Sequence, residues 1–546
     1  MAPNDKLNYT KSDAPIDIEL DSDIVDPEDG NAQDRRDMTR MGKTQELKRN
    51  FRFISIFGFT MILMQSWEAI FSLGAIGLTN GGTAGYIWLY LASWVGWVFV
   101  NLSMAEMASM APTTGGQYHW VSEFAPRRHQ KFLSYVMGWM CVLAWQTIIA
   151  STCYIAGTQV QGLLVLNYAP RYYEPHPWHG TLLAIALAAF GVFFNIVLAR
   201  RLPLVEAGLL CIHILGFVAI LVTLWVLAPR TQASQVFTTF NDGGGWGSVG
   251  TSTMVGITAS LLPLLGADAA VHMSEELQDA SRTLPRSMIA TTLVNGALGW
   301  IMLITFCSTL GDLASILDSE TGVPFIAMFY NTTQSAGGAT AMSVLIIIMT
   351  IAGILTQHAT ASRQLWAFSR DKGMPFSPWF SCKSPVKNYV QGSPQVLMLS
   401  IDVYPRLNLP VNSIITTLIF TTLLSLIAIG SPVAFNTLTS LGGTAILSSY
   451  VCSIGCVLWR RLTHKPLLPS KLSLGRYGLF INAVSMLFLL VAFVFSFFPP
   501  SPMPTPDLMN WNILIWGSTV VGSLVYYAAV ARKQYVGPVE YVRKLD

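Results

Sequence analysis

Apolar positions along this chain fall neither in alternation nor in one-sided stripes, but in twelve runs of about 20 residues separated by short polar stretches. Each run is long enough to cross a hydrocarbon layer about 30 Å thick as a helix, the form in which a chain in lipid satisfies its own backbone. The predicted spans are 53–78, 85–107, 132–166, 181–199, 203–228, 251–273, 287–310, 339–369, 411–430, 434–459, 477–498 and 511–531. The third and eighth are longer than a bilayer needs and are expected to tilt or protrude. The chain thus divides into a tail (1–52), a ten-helix core (53–460), helices 11 and 12 (461–531) and a second tail (532–546).

Two spans carry signs of interruption. In LLPLLGADAAVHMSEE, residues 261–276, Pro263 removes a backbone donor and Gly266 adds a flexible point. Asp268 then opens the second half of that sixth span. In span 1, Gln65, Ser66, Trp67 and Glu68 stand at the corresponding depth, with Ser66 expected to cap a half-helix beginning near Glu68. Two breaks five spans apart lie in segments of opposite direction. That is the pattern of an inverted repeat, spans 1–5 and 6–10, with a binding site at the breaks.

Composition fits a membrane protein: 52% of residues are hydrophobic and 12% charged, against about 25% charged in soluble proteins. With the N-terminus inside, only Arg171 and Arg230 of the 33 Lys and Arg residues fall in outer loops, so both tails are expected in the cytoplasm. The net charge of +3 is scattered through inner loops and gives no nucleic-acid surface. Six of the seven cysteines lie in spans and Cys382 lies in an inner loop, without disulfide or zinc spacing. The polar, acidic start is unlike a cleavable signal peptide. Residues 1–34 hold ten acids against Lys6 and Lys11 and read as disordered. The basic stretch 35–52 reads either as a positive-inside anchor or as a segment lying on anionic lipid. No G-x-S-x-G, Walker lysine or H-E-x-x-H is present, so neither an enzyme nor a resident metal or cofactor is expected.

Three loop sequences carry a resemblance: PTTGGQYHWVSEFAP after span 2, GADAAVHMSEELQDASRTLPRSM at the end of span 6 and SRQLWAFSRDKGMP after span 8. They resemble the fungal branch of the amino acid, polyamine and organocation transporters that contains choline and GABA permeases. The resemblance covers about residues 50–531. It implies an all-α, LeuT-like fold of ten core helices plus two, alternating access, proton coupling and a fungal plasma-membrane location. Two departures stand out. MQSWEA replaces the glycine-serine-glycine turn that receives the carboxylate in many amino acid carriers. Residues 382–402 read as an inserted inner loop.

A lone acid inside an apolar span costs at least about 2.5 kcal/mol, which makes Glu68 and Asp268 candidates for an anionic substrate site. The competing reading places each in the first turn of a half-helix, complementing its positive end. Trp67, Trp145 and Tyr154 offer aromatic faces to a cationic amine. Tyr118 and Trp120 suit a membrane interface, and Gln146 and Asn195 suit bonds between helices. Glu206 is a candidate proton-coupling carboxylate, or else an interfacial partner of Arg200 and Arg201. Glu106 with Arg282, Arg286, Arg363 and Arg370 is a candidate inner gate. The expected activity is import of a small cationic or zwitterionic amine, choline or GABA first and amino acids next, with protons. A nutrient-sensing receptor that signals through its tail is the other class.

Overall fold

The computed structural model describes residues 30–311, 316, 319–382, 409–430, 432–506 and 509–539. Most of the 382–402 stretch, the first 29 residues and residues 540–546 lie outside the described residues. Among the described residues, eleven membrane-length helices and one bent pair, counted together as twelve, follow one another: Phe53–Thr79, Gly82–Met110, Gln130–Tyr168, Pro177–Val197, Leu202–Leu227, the bent pair Val249–Val255 and Ile257–His272, Ala280–Thr309, Ala336–Arg370, Val411–Ile429, Ser440–Leu462, Gly475–Phe495 and Asn512–Gln534. We number these spans 1 to 12. Each overlaps one predicted run, and spans 3 and 8, at 39 and 35 residues, are the longest. The protein is an all-α integral membrane protein.

Span 1 is 78% buried along its most apolar stretch and span 12 only 6%, so span 1 runs through the centre and span 12 along the rim. Span 5 turns Leu204, Leu215 and Val226 outward, a surface that suits lipid and would be costly in water.

Both expected breaks are present. Span 1 consists of Phe53–Met64 and Ser66–Thr79, joined by Gln65 in the left-handed conformation (φ 48°, ψ 42°). Span 6 unwinds after Leu264, and Gly266 takes a φ of 114° that an L side chain rarely adopts. Ser66 does not cap its half-helix. Its hydroxyl donates instead to the Pro263 carbonyl (2.5 Å), bonding one break to the other.

Both tails lie on one face, here called the tail face: Lys43 pairs with Asp371, and the Val536 amide donates to the Asp371 carbonyl. The expectation of a disordered segment up to residue 34 is corrected for residues 30–34, which are folded. Asn31 and Asp34 cap a helix over Ala32–Arg40 reciprocally. Asp34 also accepts from the amides of Asp279 and Ala280, while Arg49 donates to the carbonyls of Ser274 and Leu277. Phe51 bridges to Leu277 in a short parallel pair. The basic stretch therefore has a protein surface as its partner. Tyr118 and Trp120, expected at a membrane interface, are buried here: the Tyr118 hydroxyl donates to Asp371 Oδ2 (2.9 Å) and the Trp120 indole to the Ala111 carbonyl (2.9 Å).

Candidate functional site

A cavity of about 120 Å³ lies where the two breaks meet. Leu63, Met64 and Gln65 line it from span 1, and Leu262, Leu265 and Gly266 from span 6. Span 3 adds Trp145, Ile148, Ser151 and Thr152, and span 8 adds Thr350 and Gln357. No charged side chain lines it. A helix end leaves its terminal backbone N–H and C=O groups unpaired, so the breaks add polar character to that of the two glutamines and the lining hydroxyls of Ser72, Ser151, Thr152 and Thr350. Gln65 Nε2 and Gln357 Oε1 are both buried without a hydrogen-bond partner. The Gln65 amide fits because residue 353 is glycine: a Cβ there would lie 1.4 Å from Gln65 Nε2.

Trp145 is held from behind. Its indole donates to His272 Nε2 (3.1 Å), and His272 Nδ1 donates to the Thr114 carbonyl (3.0 Å), which fixes the neutral tautomer. On the side away from the tails, Phe71 is buried among Phe306, Phe325 and Phe329.

Of the residues expected to bind substrate, Gln65, Trp145 and Gly266 line this cavity; Ser66, Trp67, Glu68 and Asp268 do not. Both acids instead have protein partners. Glu68 Oε1 lies 2.8 Å from His213 Nδ1 on span 5, and the Trp67 ring packs beside that imidazole. Asp268 accepts from the Tyr450 hydroxyl (2.5 Å) and Gln117 Nε2 (2.6 Å). An anionic cavity wall is therefore absent among the described residues, because each carboxylate points to a polar group on a neighbouring helix. Gln146 and Asn195 do bridge helices, donating to Thr417 Oγ1 and to the Leu355 carbonyl.

Glu206 is fully buried on span 5, and neither of its carboxylate oxygens has a hydrogen-bond partner. No ion pair joins it to Arg201, which is exposed. Span 1 approaches closely here: a Cβ at Gly58 would lie 3.0 Å from the Glu206 carbonyl oxygen.

Ion pairs link the helices at the tail face, and Glu106, Arg363 and Arg370 of the expected set take part in them, each with a partner from outside that set. Glu106 binds Arg461 (2.5 Å) and the Leu474 amide (2.9 Å), while Arg282 is exposed. The loop after span 6 supplies the acids: Glu276 binds Arg363 (3.0 Å), and Glu275 takes both nitrogens of Arg370 (2.6 and 3.2 Å). Lys43 is buried beside Asp371; burial lowers its pKa and the neighbouring carboxylate opposes that shift. Arg282→Ala is accordingly expected to leave uptake within about twofold of wild type, the range of an exposed substitution, in a radiolabel assay matched for protein amount.

Sequence reasoning missed His213 and Asn295. His213 stands in CIHILG inside an apolar run, so the argument that singled out Glu68 applied to it equally. Asn295 carried no signal beyond being polar within a span.

The chain is similar in sequence to known permeases. The profile of the amino acid permease family matches residues 51–519. A protein of Macrophomina phaseolina described as an amino acid/polyamine transporter is 30% identical over 84% of this chain and 96% of its own. A choline transporter of Saccharomyces cerevisiae is 26% identical over 90% of this chain and 83% of its own. An amino-acid permease of Arabidopsis thaliana is 26% identical over 92% and 96%. A permease profile spanning eleven of the twelve spans, together with breaks and a cavity at mid-span, leads to one conclusion: the chain belongs to the amino acid permease family and is a transporter, not an enzyme.

Proposed function

We propose that this permease imports a small cationic or zwitterionic amine together with protons, by alternating access around the two breaks. The observation that carries the reading is the uncharged cavity where the two breaks meet, lined by two glutamines with unpartnered amide atoms, Gln65 Nε2 and Gln357 Oε1. Such a wall suits a ligand whose charge is met by helix-end dipoles and whose apolar part rests on Trp145. Its volume, about 120 Å³, is small beside the roughly 300–1,000 Å³ of drug-sized sites. Choline is the first candidate, supported by the yeast relative, then GABA, then amino acids.

The distribution of Lys and Arg supports a cytoplasmic tail face, and a plasma-membrane location follows from the resemblance. The buried, unpartnered Glu206 supports a proton-carrying carboxylate on span 5.

The test is uptake in yeast lacking its own choline carrier, with choline, GABA, polyamines and amino acids competing at acidic and neutral pH. Saturable accumulation of one of them, faster at acidic pH, is expected. Binding of labelled ligand without accumulation would replace transport by the receptor reading.

A further inference from the structure

We propose that Glu68, His213 and Asn295 form a proton-holding site beside the break of span 1, outside the cavity wall and against span 5. The inference rests on the proposed proton-coupled transport and assigns its proton to named atoms. Asn295 Nδ2 donates to the Met61 carbonyl (2.9 Å), which fixes that amide. Its Oδ1 then faces His213 Nε2 at 3.1 Å, so Nε2 carries hydrogen. The other ring nitrogen, Nδ1, stands 2.8 Å from Glu68 Oε1. Were neither atom protonated, two lone pairs would oppose each other in a dry site around an uncompensated charge. The contact therefore holds one proton, on the acid or on the ring, and the pair is neutral overall either way.

The placement suits coupling. Glu68 opens the far-side half of span 1, Met61 closes the tail-side half, His213 is on span 5 and Asn295 on span 7. All three side chains are buried, and Glu68 Oε2 has no partner. Substrate at Gln65, on the cavity wall, and the proton at Glu68, turned to span 5, would thus sit on neighbouring sides of one break. When the halves of span 1 rock against span 5, Oε1 and Nδ1 part. The bridging proton then leaves to water, and Glu68 remains ionised beside a neutral imidazole.

Other titratable groups around the pair are few. The tail-side half of span 1 has none, and span 2 brings the buried Tyr90 phenol. Span 7 carries Arg282 and Arg286, exposed at its tail end, and the buried Cys307 thiol. On span 8, Arg363 and Arg370 are engaged by Glu276 and Glu275, and His358 is buried without a partner. Glu206 lies seven residues before His213 on the same face of span 5, about 10 Å along the axis, and is the natural next station.

The test uses full-length protein in proteoliposomes with labelled choline, and with GABA and an amino acid mixture as further probes. A gradient of one pH unit should drive about tenfold accumulation in a one-proton symporter, since one unit is tenfold in proton activity. Glu68→Gln and His213→Gln are expected to lose that accumulation and yet keep substrate exchange at zero gradient, a split that a merely structural role would not give. Gradient-driven accumulation retained by both variants, or lost only in Glu206→Gln, overturns the site. A second measurement needs no substrate: nitrogen NMR of ring-labelled His213 should show a shared Nδ1 proton in wild type and its loss in Glu68→Gln. A His213 signal indifferent to Glu68 overturns the site as well. If wild type accumulates none of the probes, the proposed function fails, and the spectrum still decides the proton site.

Discussion

Gly266→Val is expected to abolish uptake while the protein still reaches the membrane. At φ 114° a side chain at 266 is strained by about 1–3 kcal/mol. Its Cβ would also lie 2.6 Å from Leu63 Cδ2, and overpacking of that kind costs about 1–3 kcal/mol more. Both penalties fall on the wall between the two breaks, so they act on the cavity before they act on the distant helix packing. Even the lower sum, about 2 kcal/mol, is roughly thirtyfold in an equilibrium constant. Gly208→Ala is the control, because no atom lies within 4 Å of a Cβ placed there and its backbone is ordinary helix. Uptake by Gly266→Val within threefold of that control, at equal surface amount, would remove the break of span 6 from the binding site.

The break of span 6 was legible because proline and glycine act locally, Pro263 and Gly266 interrupting a helix wherever their neighbours lie, and that of span 1 because polar residues crowd its middle. Span positions were legible for a similar reason, since lipid imposes length and apolarity on each run separately. Partner choice was not. Glu68 meets His213 across 145 positions and Glu106 meets Arg461 across 355, and nothing in the local pattern of either acid selects one cation or imidazole from the others. The docked tail failed for the same reason. Counting ten acids and few apolar residues in 1–34 describes a chain without partners, whereas Asp34 has two amides waiting at the start of span 7, 245 and 246 positions away. Burial of an acid could be inferred from its span. Whether it faced cargo or a neighbouring helix required the third dimension.

The same distinction makes Arg363 a sensitive point on the tail face. Arg363→Met is expected to open that face, because Arg363 is buried and its Nε lies 3.0 Å from Glu276 Oε1, which is itself buried. Removing one partner of such a pair costs about 3–5 kcal/mol, most of it the penalty of a stranded charge; removing both costs far less. The strain would fall on the 274–280 loop, whose backbone also holds the tail through the Glu276 carbonyl to Phe51 and the Glu275 carbonyl to Gln45. Loosening that loop therefore releases span 1 at its entry as well as span 8 at its exit. A cysteine at Val271, buried in the tail-side half of span 6, should be labelled from the tail side at least about tenfold faster in the Arg363→Met background, since even half of the pair's cost exceeds the 1.4 kcal/mol that corresponds to tenfold. Adding Glu276→Met should return labelling most of the way to wild type, which a general loss of folding would not allow. Equal labelling in all three backgrounds would mean that closure of the tail face does not depend on this pair, and that the docked tail and the Glu275–Arg370 contact suffice to hold it.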